Sequence, residues 1–292
     1  MVIARLLLAC ALAACMGQTQ ARLIEEVVQL PVRVEDMHGK PVTHTIVVTI
    51  FHDDAMPRPY PLAVLGHGRS GKAEERASFG RARYTAHSRW LTQQGFIVAV
   101  PTRIGYGDTG GPDVEASGPC SKRNYPPGYQ AAADQTLAVI ALLRARPDVS
   151  GDRGVVLGQS YGGATALAVA ARNPPGVQLA INFAGGGGGN PETSPQQPCQ
   201  PALLGRMFSG FGQSARIPTL WIYSENDMYF GPTHPRTWFE AYRAGGGPGE
   251  FVQFPPFGAD GHRLFADGAE LWRPRVLEFL RTHGFAQGRE PR

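Results

Sequence analysis

Residues 154–164, Gly154-Val155-Val156-Leu157-Gly158-Gln159-Ser160-Tyr161-Gly162-Gly163-Ala164, constrain this chain more than any other stretch. A short apolar run meets Gly-x-Ser-x-Gly, and small residues then lead into an Ala/Leu/Val helix pattern. Such a sequence predicts a strand that ends abruptly, a serine on a strained turn, and a helix directly behind it. Gly158 and Gly162 have a physical role there, because a β-carbon at either position would collide with neighbouring backbone. The helix N-terminus and the Tyr161 N–H would face the place where negative charge develops if Ser160 attacked a carbonyl. An ordinary glycine-rich strand-to-helix turn reads the same way locally, so the rest of the chain must decide.

The 292 residues leave room for one large α/β domain or two small ones. A hydrophobic fraction of 42% with 18% charged residues describes a globular chain with a sizeable core. The net charge of +4 is mild and the arginines are scattered among acids, which excludes a nucleic-acid stripe with interleaved aromatics. Lys72, Arg76, Arg81, Arg83 and Arg89 form the densest basic stretch and read as a solvated helix face. No Cys/His spacing suits zinc, and no metal site is expected.

Arg5 precedes an apolar run, Leu6 to Ala14, too short for a bilayer span and suited to a signal-peptide core. It ends in Leu12-Ala13-Ala14-Cys15, which resembles a bacterial lipobox, where Cys15 would be acylated and attach the protein to a membrane. Thr19-Gln20-Ala21 offers an ordinary cleavage site instead. Residues 1–21 are therefore expected to be a signal peptide. The mature protein would be periplasmic, a membrane-anchored lipoprotein, or secreted. With Cys10 in the leader and Cys15 a lipid anchor, Cys120 and Cys199 remain, and export suggests one disulfide between them. Two unpaired loop cysteines are the alternative.

Along the chain, Ile24–Val34 and Thr43–Phe51 read as antiparallel strands around a turn at Asp36–Lys40. A buried-type strand, Leu62–Leu65, runs into Gly66-His67-Gly68-Arg69. A helix over Ala82–Gln94 and a strand Phe96–Val100 follow, then a Gly/Pro-rich loop to about Gly128 of the length typical of binding loops. Next come a helix Tyr129–Arg144, the Val155–Leu157 strand and its following helix, and the strand Leu179–Phe183. A second long polar loop reaches Ser214. Strand Thr219–Tyr223, helix Pro235–Arg243, strand Phe251–Phe254 and a last helix Ala269–His283 complete the chain. This alternation implies a mostly parallel sheet of about eight strands with helices on both faces, in one domain over 22–292.

Ligands of such a sheet bind beyond the carboxyl ends of its strands, where Ser160, Asp227 and His262 emerge in that order. A hydroxyl needs a histidine to take its proton, and the histidine needs a carboxylate to fix its tautomer. Glu225 and Asp260 are alternative acids. His67, straight after the third strand, suits an oxyanion loop better than a base. Arg69 and Tyr161 N–H are the expected oxyanion donors, with Gly68 N–H the alternative to Arg69. Tyr106, Tyr161, Trp221, Tyr229 and Phe230 are candidate pocket walls, against plain core packing.

Leu65-Gly66-His67-Gly68, Gly158-Gln159-Ser160-Tyr161-Gly162-Gly163, Glu225-Asn226-Asp227 and Gly261-His262 resemble the dienelactone hydrolase-like branch of the α/β-hydrolases. That group includes platelet-activating-factor acetylhydrolase-like and cutinase-like polyester hydrolases. The resemblance spans roughly residues 25–285. It implies cofactor-free hydrolysis through an acyl-enzyme. No separate cap domain is evident in the sequence, and a monomer acting on a small-molecule carboxylic ester is expected. True dienelactone hydrolases use a cysteine where this chain has Ser160, so a general ester is the safer expectation. A prolyl-type peptidase, an acyltransferase or a non-catalytic envelope binding protein are the competing readings.

Overall fold

Four apolar runs without polar alternation, as expected of segments covered on both faces, lie within strands that build the middle of one sheet. In a computed structural model describing residues 22–285, they are β3 (Tyr60–Gly66), β5 (Val149–Gln159), β6 (Leu179–Phe183) and β7 (Thr219–Ser224). With β1 (Leu23–Glu35), β2 (Pro41–Asp53), β4 (Ile97–Thr102) and β8 (Gly249–Phe254) they form an eight-stranded sheet in the order β1-β2-β4-β3-β5-β6-β7-β8. β2 runs antiparallel to β1 and β4, and the other neighbours are parallel. The expected signal peptide, with Cys10 and Cys15, lies outside the described residues.

The helices are α1 (Ala73–Ala77), α2 (Thr85–Gln93), α3 (Pro126–Arg144), α4 (Tyr161–Ala170), α5 (Pro201–Ser214), α6 (His234–Ala244), α7 (Leu264–Asp267) and α8 (Ala269–Thr282). α3, α4, α5 and α6 cover one face, where Ile140, Leu167, Phe208 and Trp238 join a single apolar core. α2, α7 and α8 cover the other through Trp90, Phe265, Trp272 and Phe279. The chain leaves β3 for β4 on one side and returns past it to β5 on the other. That reversal opens a crevice beyond the carboxyl ends of β3 and β5.

Three expectations need correction. The polar loop expected up to Ser214 ends at Pro201, where the fourteen-residue α5 begins. Its three glycines argued against a helix, but Pro201 stands at a favourable first position, and Leu204, Met207 and Phe208 are buried at helical spacing. A β-carbon on Gly212 would lie 2.0 Å from the Tyr242 carbonyl oxygen, so glycine there permits α5 to meet α6. Second, α2 starts three residues late. Thr102 Oγ1 accepts the Ala82 N–H and Thr49 Oγ1 donates to the Ala82 carbonyl, tying this segment to the sheet instead. Third, the basic stretch is no single helix face: Arg76 is buried on Asp113, Arg81 and Arg83 pair with Glu25, and Lys72 pairs with Glu75 and Glu192.

Candidate active site

Ser160 sits between β5 and α4 at φ 57°, ψ −123°, outside the regions a non-glycine residue prefers. Such a conformation costs about 1–3 kcal/mol and persists only where the surroundings impose it. Here the Ser160 N–H donates to the Phe183 carbonyl at 2.8 Å, and the Ser160 carbonyl accepts the Gly163 and Ala164 N–H groups that begin α4. A β-carbon on Gly158 would meet the Gly162 carbonyl carbon at 2.5 Å, and one on Gly162 the Gly66 oxygen at 2.3 Å. The two glycines thus let β3, β5 and α4 converge, leaving Ser160 half-buried at the crevice.

Asp227 follows β7 and is fully buried. Its Oδ1 accepts the Tyr229 and Phe230 N–H groups at 2.8 and 3.0 Å, and its Oδ2 accepts His262 Nδ1–H at 2.9 Å. A carboxylate on Nδ1 fixes the ring proton there and leaves Nε2 free to accept another. Asp260 bridges the loops after β7 and β8, because its Oδ1 accepts both the Met228 and His262 N–H groups at 2.9 Å. Glu225 is exposed. The acid in contact with the imidazole is therefore Asp227. Tyr229 stacks on the His262 ring with centroids 4.1 Å apart, and Phe230 meets it edge-on at 5.4 Å. Gln159, next to Ser160, reaches the His262 carbonyl at 3.4 Å. Among the described residues no hydrogen bond joins the Ser160 hydroxyl to the imidazole.

His67 is buried, and both ring nitrogens are engaged: Nδ1–H donates to the Gly68 carbonyl at 2.7 Å, and Nε2 accepts the Arg103 N–H at 3.2 Å. Burial, with the Arg103 charge beside it, holds its pKa well below the ordinary histidine range. It is a neutral structural group. The loop it anchors packs on the serine, since a β-carbon on Gly68 would lie 3.4 Å from Ser160 Cβ. Neither the Arg69 N–H nor the Tyr161 N–H makes a hydrogen bond among the described residues. The Arg69 side chain forms a two-pronged pair with Asp113 at 2.8 and 2.7 Å. Burial opposes the charge on Asp113, but Arg69 and Arg76 outweigh it and hold the carboxyl below its usual range.

Ser160, Tyr161 and Arg69 line one side of a cavity of about 470 Å³. Tyr229, Phe230, Gly186–Gly189, Arg123 and Tyr125 also line it. Tyr106 and Trp221 lie elsewhere. Tyr106 is buried behind the Arg69 loop with its hydroxyl on Glu115 at 2.6 Å, and Trp221 packs among Phe208, Phe239 and Tyr242 on the helical face of β7. Alternation along a strand explains Trp221, which points to the face covered by α5 and α6 and not to the strand end. Cys120 and Cys199 form a disulfide with Cα atoms 5.5 Å apart, tying the loop before α3 to the loop before α5. Of the expected walls, Tyr161, Tyr229 and Phe230 line the cavity, while Arg123, Tyr125, the glycine wall Gly186–Gly189 and the buried Arg103–Glu115 pair escaped sequence reasoning. A second cavity, about 440 Å³ between β1 and α3, has walls of mixed charge, with Arg33, Asp36, Asp134 and Arg172, and holds none of the expected site residues.

Residues 80–228 match the family model described as serine aminopeptidase, S33. No curated protein sequence matches the chain. Among solved structures, an alpha/beta hydrolase from Penicillium sp. sh18 is similar at TM-score 0.60 and 16% identity, covering 89% of this chain and 99% of that one. A putative dienelactone hydrolase from Klebsiella pneumoniae subsp. pneumoniae MGH 78578 matches at TM-score 0.58 and 18% identity, covering 88% and 98%. An acetyl xylan esterase from Paenibacillus sp. R4 matches at TM-score 0.58 and 16% identity, covering 90% and 88%. At these identities the likeness establishes the α/β-hydrolase fold.

Proposed function

The chain belongs to the serine aminopeptidase S33 family, hydrolases of this fold, and from that premise we propose that it hydrolyses small carboxylic esters through an acyl-enzyme. The observation that carries this reading is the strained Ser160 lining a cavity that it shares with Tyr229, whose ring stacks on the His262 of the buried His262–Asp227 pair. In the proposed reaction, Ser160 Oγ bonds to the ester carbonyl carbon while its proton passes to His262 Nε2. Asp227 holds Nδ1–H and stabilises the imidazolium, and the carbonyl oxygen becomes an oxyanion facing the free Arg69 and Tyr161 N–H groups. Collapse breaks the carbon–oxygen bond to the alcohol, which leaves with the His262 proton. Water then attacks the acyl-enzyme by the same route in reverse order, giving the acid and regenerating Ser160. No cofactor enters this scheme.

An ester fits the cavity better than the free α-ammonium an aminopeptidase must accept. Arg69 and Arg123 stand on the wall, which carries no Asp or Glu. Among the described residues, Arg123 has Ser117 Oγ at 3.0 Å and the Tyr125 ring as its partners. Asp113 offsets the Arg69 charge, so a substrate ammonium there would meet the Arg123 guanidinium and find neutral acceptors but no carboxylate. The Cys120–Cys199 disulfide supports action outside the cytoplasm, where such bonds persist.

The test is intact mass after exposure to a fluorophosphonate, for wild type and Ser160→Ala, with p-nitrophenyl ester and aminoacyl-p-nitroanilide turnover in parallel. One adduct, lost in the variant, with turnover confined to the ester is the expected result. A folded wild type without adduct or ester turnover would overturn the reading.

A further inference from the structure

Arg103 and Glu115 take no part in the steps above, yet they form a buried ion pair directly behind the loop that would supply the second oxyanion donor; their exposures are 1% and 0%. We propose that Arg103, anchored by Glu115, is a positioning residue that orients and polarises the Gly68–Arg69 peptide so that its N–H stabilises the oxyanion. This deepens the esterase reading and rests on it.

Two hydrogen bonds leave Arg103 for consecutive carbonyls of that loop: Nη1 to His67 O at 2.7 Å and Nη2 to Gly68 O at 3.2 Å. His67 Nδ1–H donates to the same Gly68 oxygen. In a trans peptide the C=O and N–H point in opposite directions. Fixing the Gly68 carbonyl into the interior therefore turns the Arg69 N–H outward, on the side where Gly68 packs against Ser160. A cation on the carbonyl also polarises the peptide and strengthens its N–H as a donor. Glu115 holds Arg103 in place through Nε and through Nη2 at 3.4 Å, and Tyr106 O–H donates to Glu115 Oε2 at 2.6 Å. A buried ion pair is a weak device for stability alone, since apolar residues of similar volume do as well or better. Three Arg103 hydrogen bonds, counting its own N–H on His67 Nε2, converge on His67 and Gly68, and two more go to the Glu115 that directs the guanidinium to them.

The experiment compares wild type with Arg103→Met, Arg103→Lys and Glu115→Gln. It measures kcat and KM on a p-nitrophenyl ester, and Ki for a trifluoromethyl ketone, which forms an alkoxide on the serine. Wild type is first labelled with fluorophosphonate. Arg103→Met should lower kcat by up to about 100- to 1,000-fold, the order of losing one oxyanion donor, with KM within threefold. Ki should rise in parallel with the loss of kcat/KM. Arg103→Lys, which keeps a donor, should recover part of both. If Arg103→Met fails to fold, Arg103→Lys and Glu115→Gln decide by the same parallel. Loss of kcat with Ki unchanged, or folded variants within threefold of wild type, would overturn the proposal while leaving Ser160 chemistry intact. An unlabelled wild type would overturn both.

Discussion

Replacing Asp227 by asparagine exchanges one oxygen for an NH₂ group and leaves the side-chain shape nearly unchanged. The structure dictates which way the amide turns. Oδ1 accepts two backbone N–H groups, from Tyr229 and Phe230, so the amide oxygen must stay on that side. The NH₂ then faces His262 Nδ1, where the carboxylate now accepts at 2.9 Å. Nδ1 becomes an acceptor and the ring proton moves to Nε2, the position that must be empty to receive the Ser160 proton. Wrong-tautomer variants of such triads lose about 10⁴-fold in kcat, and at 1.36 kcal/mol per decade that is about 5.4 kcal/mol of barrier. The reverse orientation would set NH₂ against two N–H donors and offers no escape. Steady-state hydrolysis of a p-nitrophenyl ester measures the effect, with thermal unfolding to confirm the fold. Asp260→Asn keeps an oxygen for the Met228 and His262 N–H groups and should lose less than about tenfold, since only the neighbouring acid is altered. A folded Asp227→Asn protein within tenfold of wild type would refute the assigned role of Asp227.

Two further outcomes follow from the packing. The Cys120–Cys199 bridge spans 79 residues, a separation at which loss of the crosslink costs roughly 4 kcal/mol in the chain-entropy limit. Cys199→Ser should lower the thermal midpoint and raise KM, because the bridge holds Arg123 and Tyr125 against the glycine wall; an unchanged midpoint and KM would oppose this. His87 lies among Phe265, Trp272 and Tyr84, its Nδ1 has no hydrogen-bond partner among the described residues, and burial followed by the Arg273 charge lowers its pKa to about 4. Above pH 6.5 the group is neutral in both states. Between there and pH 4 the unfolded chain takes the proton first, so stability falls with pH by up to about 3 kcal/mol. His87→Phe should lose less between pH 7 and 4.5 in urea unfolding than wild type; equal losses would exclude His87 as the source.

The sheet was legible because its signals are local. The apolar runs at β3, β5, β6 and β7 have no alternation, and glycines or prolines punctuate their ends. Ser160, Asp227 and His262 were legible because each follows a strand, and strand ends share an edge. α5 was hidden by Gly205, Gly210 and Gly212, whose reason is the close approach to α6 and not the helix itself. Trp221 was misplaced because adjacency to the Asp227 loop in sequence says nothing about which sheet face a strand residue takes. Glu115 carries no mark of its burial. It lies in a Gly/Pro-rich loop where an acid is ordinarily solvated, and its partner Arg103 is 12 residues away.

The least predictable part of the site is also the part whose shape needs the most support. The run Gly185–Gly189 has no side chains with which to hold one conformation, and glycine loses more backbone freedom on ordering than any other residue. Tyrosines of the loop and first turn leading into α3 supply the restraint. Tyr129 O–H donates to the Gly186 carbonyl at 2.7 Å, and the Tyr125 hydroxyl donates to the Cys199 carbonyl and, at 3.4 Å, to that of Gly187. Glycine is required in return. β-Carbons on Gly186, Gly187 and Gly188 would meet the Phe230 ring at 2.8 Å, the Tyr129 hydroxyl at 2.7 Å and the Tyr125 hydroxyl at 2.1 Å. Rings and glycines therefore define the cavity wall jointly, and the disulfide fixes the loop that carries Tyr125. The start of α3, remote in sequence from Ser160, Asp227 and His262, thus shapes the cavity as much as the strand ends that present them.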